Sequence, residues 1–321
     1  MGKFKVKLSF FIIISLIVIT VIFSLLSGSI KISISELLQG IFGNYNIDYI
    51  VDLRIPRIAI SLLAGAALGV SGLLLQTSLR NPLLDPSIIG ISSGANLFLY
   101  IGLILMPNVI FYKSILSIMG GIFGYILIYI CSKNMKSSVS VILVGIAINS
   151  FFTGVLILIQ YLRNSTTSIN IRATLGMKSF EDVKLLIFWV PIFIIITFML
   201  YKICNIFFLS DRDILSLGIN VQLIRTILSF LAIILASIAT SVVGVVVFLS
   251  LIVPHISKII IGKNHVVTIP FTALLGGFIF LLFDTLGRVL FSPIEIPADV
   301  IMLLVGGPTF LILLKKESNY G

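Results

Sequence analysis

Long apolar runs separated by short polar stretches dominate this chain, and three of them, Leu8 to Leu26, Ile58 to Leu79 and Val139 to Leu162, contain no Asp, Glu, Lys or Arg. A bilayer core about 30 Å thick is crossed by about 20 apolar residues in a helix, so each of these runs is long enough to span. Interrupted or shorter runs at Ile88 to Ile110, Ser114 to Ile130, Leu185 to Tyr201, Thr226 to about Phe248, Leu249 to Ile261, Val266 to Phe283 and Val300 to Leu314 bring the number of predicted spans to ten. The uncharged stretch from Thr226 to Ser257 is too long for one perpendicular span. Pro254 within it lacks an amide donor and fits poorly inside a helix. The pattern therefore predicts a full helix followed by a short one. The fold class is all-α: a polytopic helical bundle forming one transmembrane domain over residues 1–321.

Composition sharpens the class. The 321 residues are 59% hydrophobic and 11% charged, as expected for a membrane protein. Lys3, Lys5 and Lys7 precede the first apolar run, an arrangement that also suits a signal peptide. The run is longer than a signal peptide's apolar region and no small-residue cleavage site follows, so it reads as a span. With the amino terminus cytoplasmic and ten spans, thirteen of the twenty-two Lys and Arg residues fall on the cytoplasmic side. That agrees with the positive-inside rule and places both termini in the cytoplasm. The net charge of +10 suits anionic lipid headgroups and implies no nucleic-acid partner. Cys131 and Cys204 sit near predicted cytoplasmic helix ends, where neither a disulfide nor a metal pair is expected.

Two further patterns bear on architecture. Ile55-Pro56-Arg57-Ile58-Ala59-Ile60-Ser61-Leu62-Leu63 is echoed by Leu223-Ile224-Arg225-Thr226-Ile227-Leu228-Ser229-Phe230-Leu231, and each copy leads to a proline-bearing break. One copy starts outside and the other inside, which predicts an inverted repeat pairing spans two to five with spans seven to ten. Ser61, Gly65, Gly69 and Gly72, with Gly120 and Gly124, space small residues three or four apart, as close helix packing in lipid requires. The first break, Arg80-Asn81-Pro82-Leu83-Leu84-Asp85-Pro86-Ser87, carries two prolines and capping side chains. It is either a backbone segment lining a water-filled surface or a tight turn between two spans.

Taken together, several strings resemble the permease subunits of ABC importers for iron-siderophores, haem and vitamin B12. These are Arg54-Ile55-Pro56-Arg57, Gly65-Ala66-Ala67-Leu68-Gly69-Val70-Ser71-Gly72 with Gln76, Asn81-Pro82-Leu83-Leu84-Asp85-Pro86 and Gly90-Ile91-Ser92-Ser93-Gly94-Ala95. The likeness continues through Leu215-Ser216-Leu217-Gly218-Ile219-Asn220, Phe248 to Ile256, Asp284-Thr285-Leu286-Gly287-Arg288, Glu295-Ile296-Pro297 and Gly306-Gly307-Pro308-Thr309-Phe310.

The resemblance implies a ten-helix subunit in the cytoplasmic membrane of a prokaryote. It pairs with a second permease, identical or related, carries two ATP-binding-cassette subunits inside and receives an extracytoplasmic substrate-binding protein outside. Its cargo would be a ferric siderophore, with haem or cobalamin as alternatives. It would perform no covalent chemistry and hold no cofactor, ATP being bound on the partner ATPase. In agreement, no Gly-x-x-x-x-Gly-Lys-Ser/Thr phosphate loop occurs in the sequence.

By the same resemblance, the loop from Lys202 to Arg225, with Leu217, Gly218 and Ile219 at its bend, is the ATPase coupling element. It reads as two short amphipathic helices bent at the glycine. Arg54, Arg57 and Arg288 would dock acidic residues of the binding protein, a task that suits the planar guanidinium fork. Membrane-edge arginines also snorkel to lipid headgroups, and Asp284 could pair with Arg288 four residues on. Asn81, Leu83, Ser138 and Val139 would form the inner gate of the translocation path. His255 and His265 have no carboxylate or sulfur at ligand spacing, so no metal site is expected. A proton-coupled carrier would need an ionisable group deep in a span. Asp85, Asp284, Glu295 and Asp299 instead map near helix ends. Sodium coupling through backbone carbonyls stays open, whereas an intramembrane enzyme would need a nucleophile–base pair or metal dyad that is not visible.

Overall fold

The computed structural model describes residues 3–27, 53–105, 110–133, 138–162, 178–290 and 294–318. Among these, helices follow one another without a strand: α1 (Lys3–Leu26), α2 (Ile55–Ser78), α3 (Ile91–Leu105), α4 (Ile110–Ser132), α5 (Ser138–Leu162) and α6 (Phe180–Met199). The second half contains α7 (Tyr201–Ile206), α8 (Asp211–Ser216), α9 (Val221–Val243), α10 (Leu249–Ile261), α11 (His265–Val289) and α12 (Ala298–Ser318). Seven are long and apolar enough to cross a bilayer, and α3, α10 and the apolar part of α12 are shorter. These are the ten expected spans. The six-residue helices α7 and α8 lie in the connection between the sixth and seventh.

Side-chain bonds between distant segments fix how the helices alternate. Arg54, just before α2, donates to the carbonyl of Leu25 at the end of α1, and Arg288 near the end of α11 reaches Ser24 and Ser27. The end of α1, the start of α2 and the end of α11 therefore share one end of the bundle. At the other end, Arg80 following α2 meets Asp211 of α8, which also binds Arg225 in the first turns of α9.

The inverted repeat is visible in which helix touches which. α2 packs on α10 and α11, and α9 packs on α3 and α4. Likewise α3–α4 corresponds to α10–α11, and α4–α5 to α11–α12, with α2 and α9 meeting each other at the centre. Exchanging spans two to five with seven to ten thus maps the packing onto itself. α2 and α9 are the most buried helices, while α5 and α1 leave most of their surface uncovered within the chain.

Close approach at the centre depends on small side chains, because apolar helices gain no hydrophobic drive from one another in lipid. A Cβ built on Gly72 would lie 1.8 Å from the carbonyl oxygen of Ser250 in α10, and one on Gly65 would lie 2.3 Å from that of Gly276 in α11. Hydroxyls bridge the seams with α9: Ser71 of α2 donates to the carbonyl of Ala232 at 2.7 Å, and Ser117 of α4 to that of Ser237 at 2.7 Å.

The second break falls where expected, but proline is not its cause. α9 stops at Val243, α10 starts at Leu249 after Phe248 in the left-handed region, and Pro254 sits inside α10. A helical proline leaves the carbonyl four residues earlier without its donor, here Ser250. The side-chain amide of Gln76 on α2 lies 3.4 Å from both the Ser250 and Leu251 oxygens and replaces that donor. The carbonyl oxygen of the same amide accepts from Lys258 Nζ at 3.0 Å. The proline is therefore tolerated because a neighbouring helix satisfies the freed backbone, as lipid cannot.

Gly72→Val must push α10 away from α2, with a cost at or above the upper end of about 1–3 kcal/mol for overpacking. Gly154→Ala on α5, where an added Cβ meets nothing within 4 Å, should leave stability unchanged or raised by up to about 1 kcal/mol. Thermal unfolding in detergent checks both; equal midpoints for the two variants would refute the close-packing account.

Candidate functional site

At the end where α1 finishes, the three arginines expected to dock a partner are turned inward. Arg54, Arg57 and Arg288 are 7%, 6% and 4% exposed. The Arg57 guanidinium grips Asp284 through Nε at 2.9 Å and a second nitrogen at 2.9 Å, and reaches Glu295 at 2.8 Å. Arg288 lies 3.7 Å from the same Asp284 and donates to the carbonyl and hydroxyl of Ser24. The i,i+4 couple anticipated between Asp284 and Arg288 is thus formed, but Asp284 gives its chelating geometry to Arg57. The cluster ties α1, α2, α11 and the segment before α12 into one unit. An outside carboxylate binding Arg57 would have to displace Asp284. Glu295, with 44% of its side chain exposed, is the member open to solvent.

At the opposite end, α2 closes at Ser78 and Arg80 adopts a left-handed φ of 48°. Such a backbone is costly for a residue with a Cβ and is held by its surroundings. The side chain supplies them: it donates to the carbonyl of Leu209, lies 2.9 Å from Asp211 and covers the ring of Phe207 at 5.6 Å. Asn81 then accepts from the Leu83 amide at 2.9 Å, closing the turn. Asp85 is fully buried; its Oδ1 accepts from the amide of Ser87 at 2.7 Å and from the Ser87 hydroxyl, while Oδ2 has no hydrogen-bond partner among the described residues. Asn81 and Leu83 are half-buried in this one turn. Ser138 and Val139 open α5, and their side chains lie outside the described residues.

The connection from α6 to α9 differs from the expected pair of short helices. α8 is one of them, capped by Ser210 and Asp213 in a reciprocal capping box. Gly218 follows with φ of 75°, in a position where no other residue would be unstrained. The second element is simply the first turns of the spanning helix α9, capped by Asn220. Leu215, Leu217 and Leu223 project from this bend, each about 60% exposed. Cys204 of α7 is buried, and burial pushes its thiol up to about 12, so it carries no thiolate at neutral pH. His265 has structural bonds: its Nδ1 donates to Asn205 Oδ1 at 2.8 Å, its Nε2 lies 3.1 Å from the Thr77 hydroxyl, and its ring stacks on Phe208.

A cavity of about 330 Å³ opens between α3, α5, the loop after α9 and the start of α12. Its wall includes Ser87, Ser93, Asn96, Asn149, Thr153 and Asp299. Ser87 belongs to the proline-bearing turn, so the turn leads into this polar chamber. Asn96, Asn149 and Thr153 were not singled out from sequence. The signal was available: Asn149 and Thr153 are four residues apart on one face of a span without charged residues, where polar groups are costly unless they line a path or contact a partner.

Asp284→Asn removes the charge that two buried guanidiniums share and should cost about 3–5 kcal/mol. Glu295→Gln, at a half-exposed site, should cost no more than about 1 kcal/mol. Thermal midpoints of the two purified variants check this, and a smaller loss for Asp284→Asn than for Glu295→Gln would overturn the ranking.

A sequence profile described as the FecCD transport family matches residues 16–316. A Staphylococcus aureus (strain MSSA476) protein named as a haem-iron transport system permease, IsdF, is 37% identical over 322 aligned residues, covering 99% of this chain and 99% of that one. The IsdF protein of the Newman strain matches with the same identity and coverage. Among solved structures, one described as a metal-chelate type ABC transporter in an inward-facing conformation superposes with a TM-score of 0.80 at 28% identity. It covers 97% of this chain and 99% of its own. PsaBC from Streptococcus pneumoniae, in complex with Fab, shares the fold at a TM-score of 0.62 and 16% identity, over 87% of this chain and 95% of that one. With ten apolar helices among its described residues, an inverted repeat and a profile match along nearly its whole length, this chain belongs to the FecCD transport family, as a membrane permease of ABC importers.

Proposed function

We propose that the chain carries an iron chelate across the cytoplasmic membrane as half of a permease dimer, driven by a separate pair of ATPase subunits and fed by an extracytoplasmic binding protein. The full-length 37% identity to a protein named for haem iron carries the cargo assignment, so haem is the first cargo to test and a ferric siderophore the second. The polar wall of Ser87, Ser93, Asn96, Asn149 and Thr153, with Asp299 its one carboxylate, favours keeping the siderophore in the comparison, because hydroxyls and amides can exchange hydrogen bonds with a hydrated chelate without trapping it. Both termini are cytoplasmic in this reading.

The work of the ATPase enters at the bend around Leu217, Gly218 and Ile219, where exposed leucines offer an apolar contact on a short, capped helix. Arg80 then links that bend to the gate turn: one guanidinium holds Leu209, Asp211 and Phe207 while its own backbone leads directly into Asn81. Displacement of α8 is passed through this residue to Asn81 and Leu83, and Ser138 and Val139 at the start of α5 complete the gate. At the opposite end, the buried cluster of Arg54, Arg57, Arg288 and Asp284 supports the surface on which the binding protein sits, with Glu295 its solvent-facing member.

Reconstitution of the chain with its ATPase and binding protein in ATP-loaded vesicles is the test. Uptake of haem that needs both partners supports the assignment; accumulation by the chain alone, without ATPase, refutes it. In the same vesicles Arg80→Gln should lower the cargo moved per ATP hydrolysed, on the order of 5- to 10-fold, while hydrolysis continues. A parallel fall of hydrolysis and uptake would mean that Arg80 serves folding alone.

A further inference from the structure

Between the end of α2, the Phe207–Phe208 segment, the last turns of α10 and the start of α11 lies a second cavity, of about 450 Å³. Its wall includes Arg80, Lys258, Lys263 and His255 and contains no Asp or Glu. Arg80 is balanced by Asp211. The two lysines are not so balanced. Lys258 Nζ donates to the neutral amide oxygen of Gln76 at 3.0 Å, and among the described residues no carboxylate lies within ion-pair distance of Lys258 or Lys263. An ammonium withdrawn from water without a counter-charge is costly, and a second one nearby raises that cost. The cavity is therefore built for an anion that the chain does not itself supply.

The rim indicates what kind of anion. Ile259 is 64% exposed, Ile260 39% and Phe208 55%. Ile259 and Ile260 belong to a spanning helix, so the apolar rim continues into the surface that faces acyl chains. The cavity also sits where α10 ends and α11 begins, at the end of the bundle that holds the start of α1 with Lys3, Lys5 and Lys7. That is the depth of a headgroup. We propose that this cavity binds the phosphate of an anionic phospholipid, with Lys258 and Lys263 on the phosphate and the glycerol and upper acyl chains along Ile259 and Phe208. Basic pockets between helices at the membrane surface recognise headgroups in this way. The site is separate from the cargo chamber, and its occupancy does not depend on which chelate is carried.

The full chain, extracted in mild detergent, is incubated with mixed micelles of phosphatidylglycerol or phosphatidylcholine, and retained lipid is counted by native mass spectrometry. The wild type should retain phosphatidylglycerol in preference to phosphatidylcholine. Lys258→Gln with Lys263→Gln should lower that retention on the order of 30-fold, and Lys258→Arg with Lys263→Arg should restore it. Lys263→Gln alone, at an exposed position that cannot unfold the bundle, should already lower it roughly 5-fold. Unchanged retention in the Gln variants overturns the proposal. Displacement of the lipid by inorganic phosphate at equal concentration assigns the site to a soluble anion instead, and exclusion of the lipid when the ATPase subunit is added assigns it to a protein contact. Either result would end the lipid reading.

Discussion

A carbonyl oxygen buried in a bilayer has no water to accept from, and this constraint decides where the chain can break its helices. The bond from Gln76 to the Ser250 and Leu251 oxygens meets it at the start of α10, where both residues are buried. Without that amide, Pro254 would leave an orphan acceptor in the centre of the bundle, at a cost of about 1–3 kcal/mol. Gly72 is the reason Gln76 can reach: a Cβ there would collide with Ser250. One helical turn of α2 thus supplies both the clearance and the donor that make a half-length span possible, and the same amide steers Lys258 into the basic cavity.

The two ends of the bundle solve opposite electrostatic problems. Where α1 finishes, Arg57 binds Asp284 and Glu295, Arg288 lies beside the same Asp284, and carbonyls at the end of α1 accept from Arg54 and Arg288. Burying a bidentate pair fixes geometry more than it adds stability, so this cluster acts as a clamp holding four segments in register. Where α2 finishes, Arg80, Asp211 and Arg225 are a quarter to two-fifths exposed. Solvent-screened pairs of that kind can be made and broken at little cost. A rigid clamp at one end and a yielding linkage at the other favour motion at the second, which is where the proline-bearing turn lies.

Much of this was legible in the sequence. Ten spans, the short helix from Leu249 to Ile261 and the repeat seeded by Ile55 to Leu63 follow from run length and periodicity, because lipid punishes any other arrangement. The role of Pro254 was not legible, since proline alone signals a break and only a partner from another helix, Gln76, reveals why none occurs. The arginines are a similar case. Their spacing before a span marks them as interfacial, but which carboxylate each one meets is set across 227 residues of sequence in the pair of Arg57 with Asp284. Asn96, Asn149 and Thr153 become a chamber only when α3 and α5 are packed. Their polarity within apolar spans was visible, and their convergence was not.

The repeat also explains why its two breaks have come to differ. Each follows a central helix, α2 or α9, and each precedes a shorter one, α3 or α10. After α9 the chain crosses in Gly244 to Phe248 with apolar side chains; the Phe248 carbonyl accepts from the first turn of α10, and its ring packs against Gly306 and Phe310 of α12. After α2 the corresponding crossing carries Asn81, Asp85 and Ser87, whose side chains bond the turn to itself. A crossing tied to its neighbours moves only with them, whereas one closed on itself can shift as a unit about its anchor. That anchor is Arg80, whose guanidinium reaches Leu209, Asp211 and the Phe207 ring, so the two breaks of the repeat are held by different means.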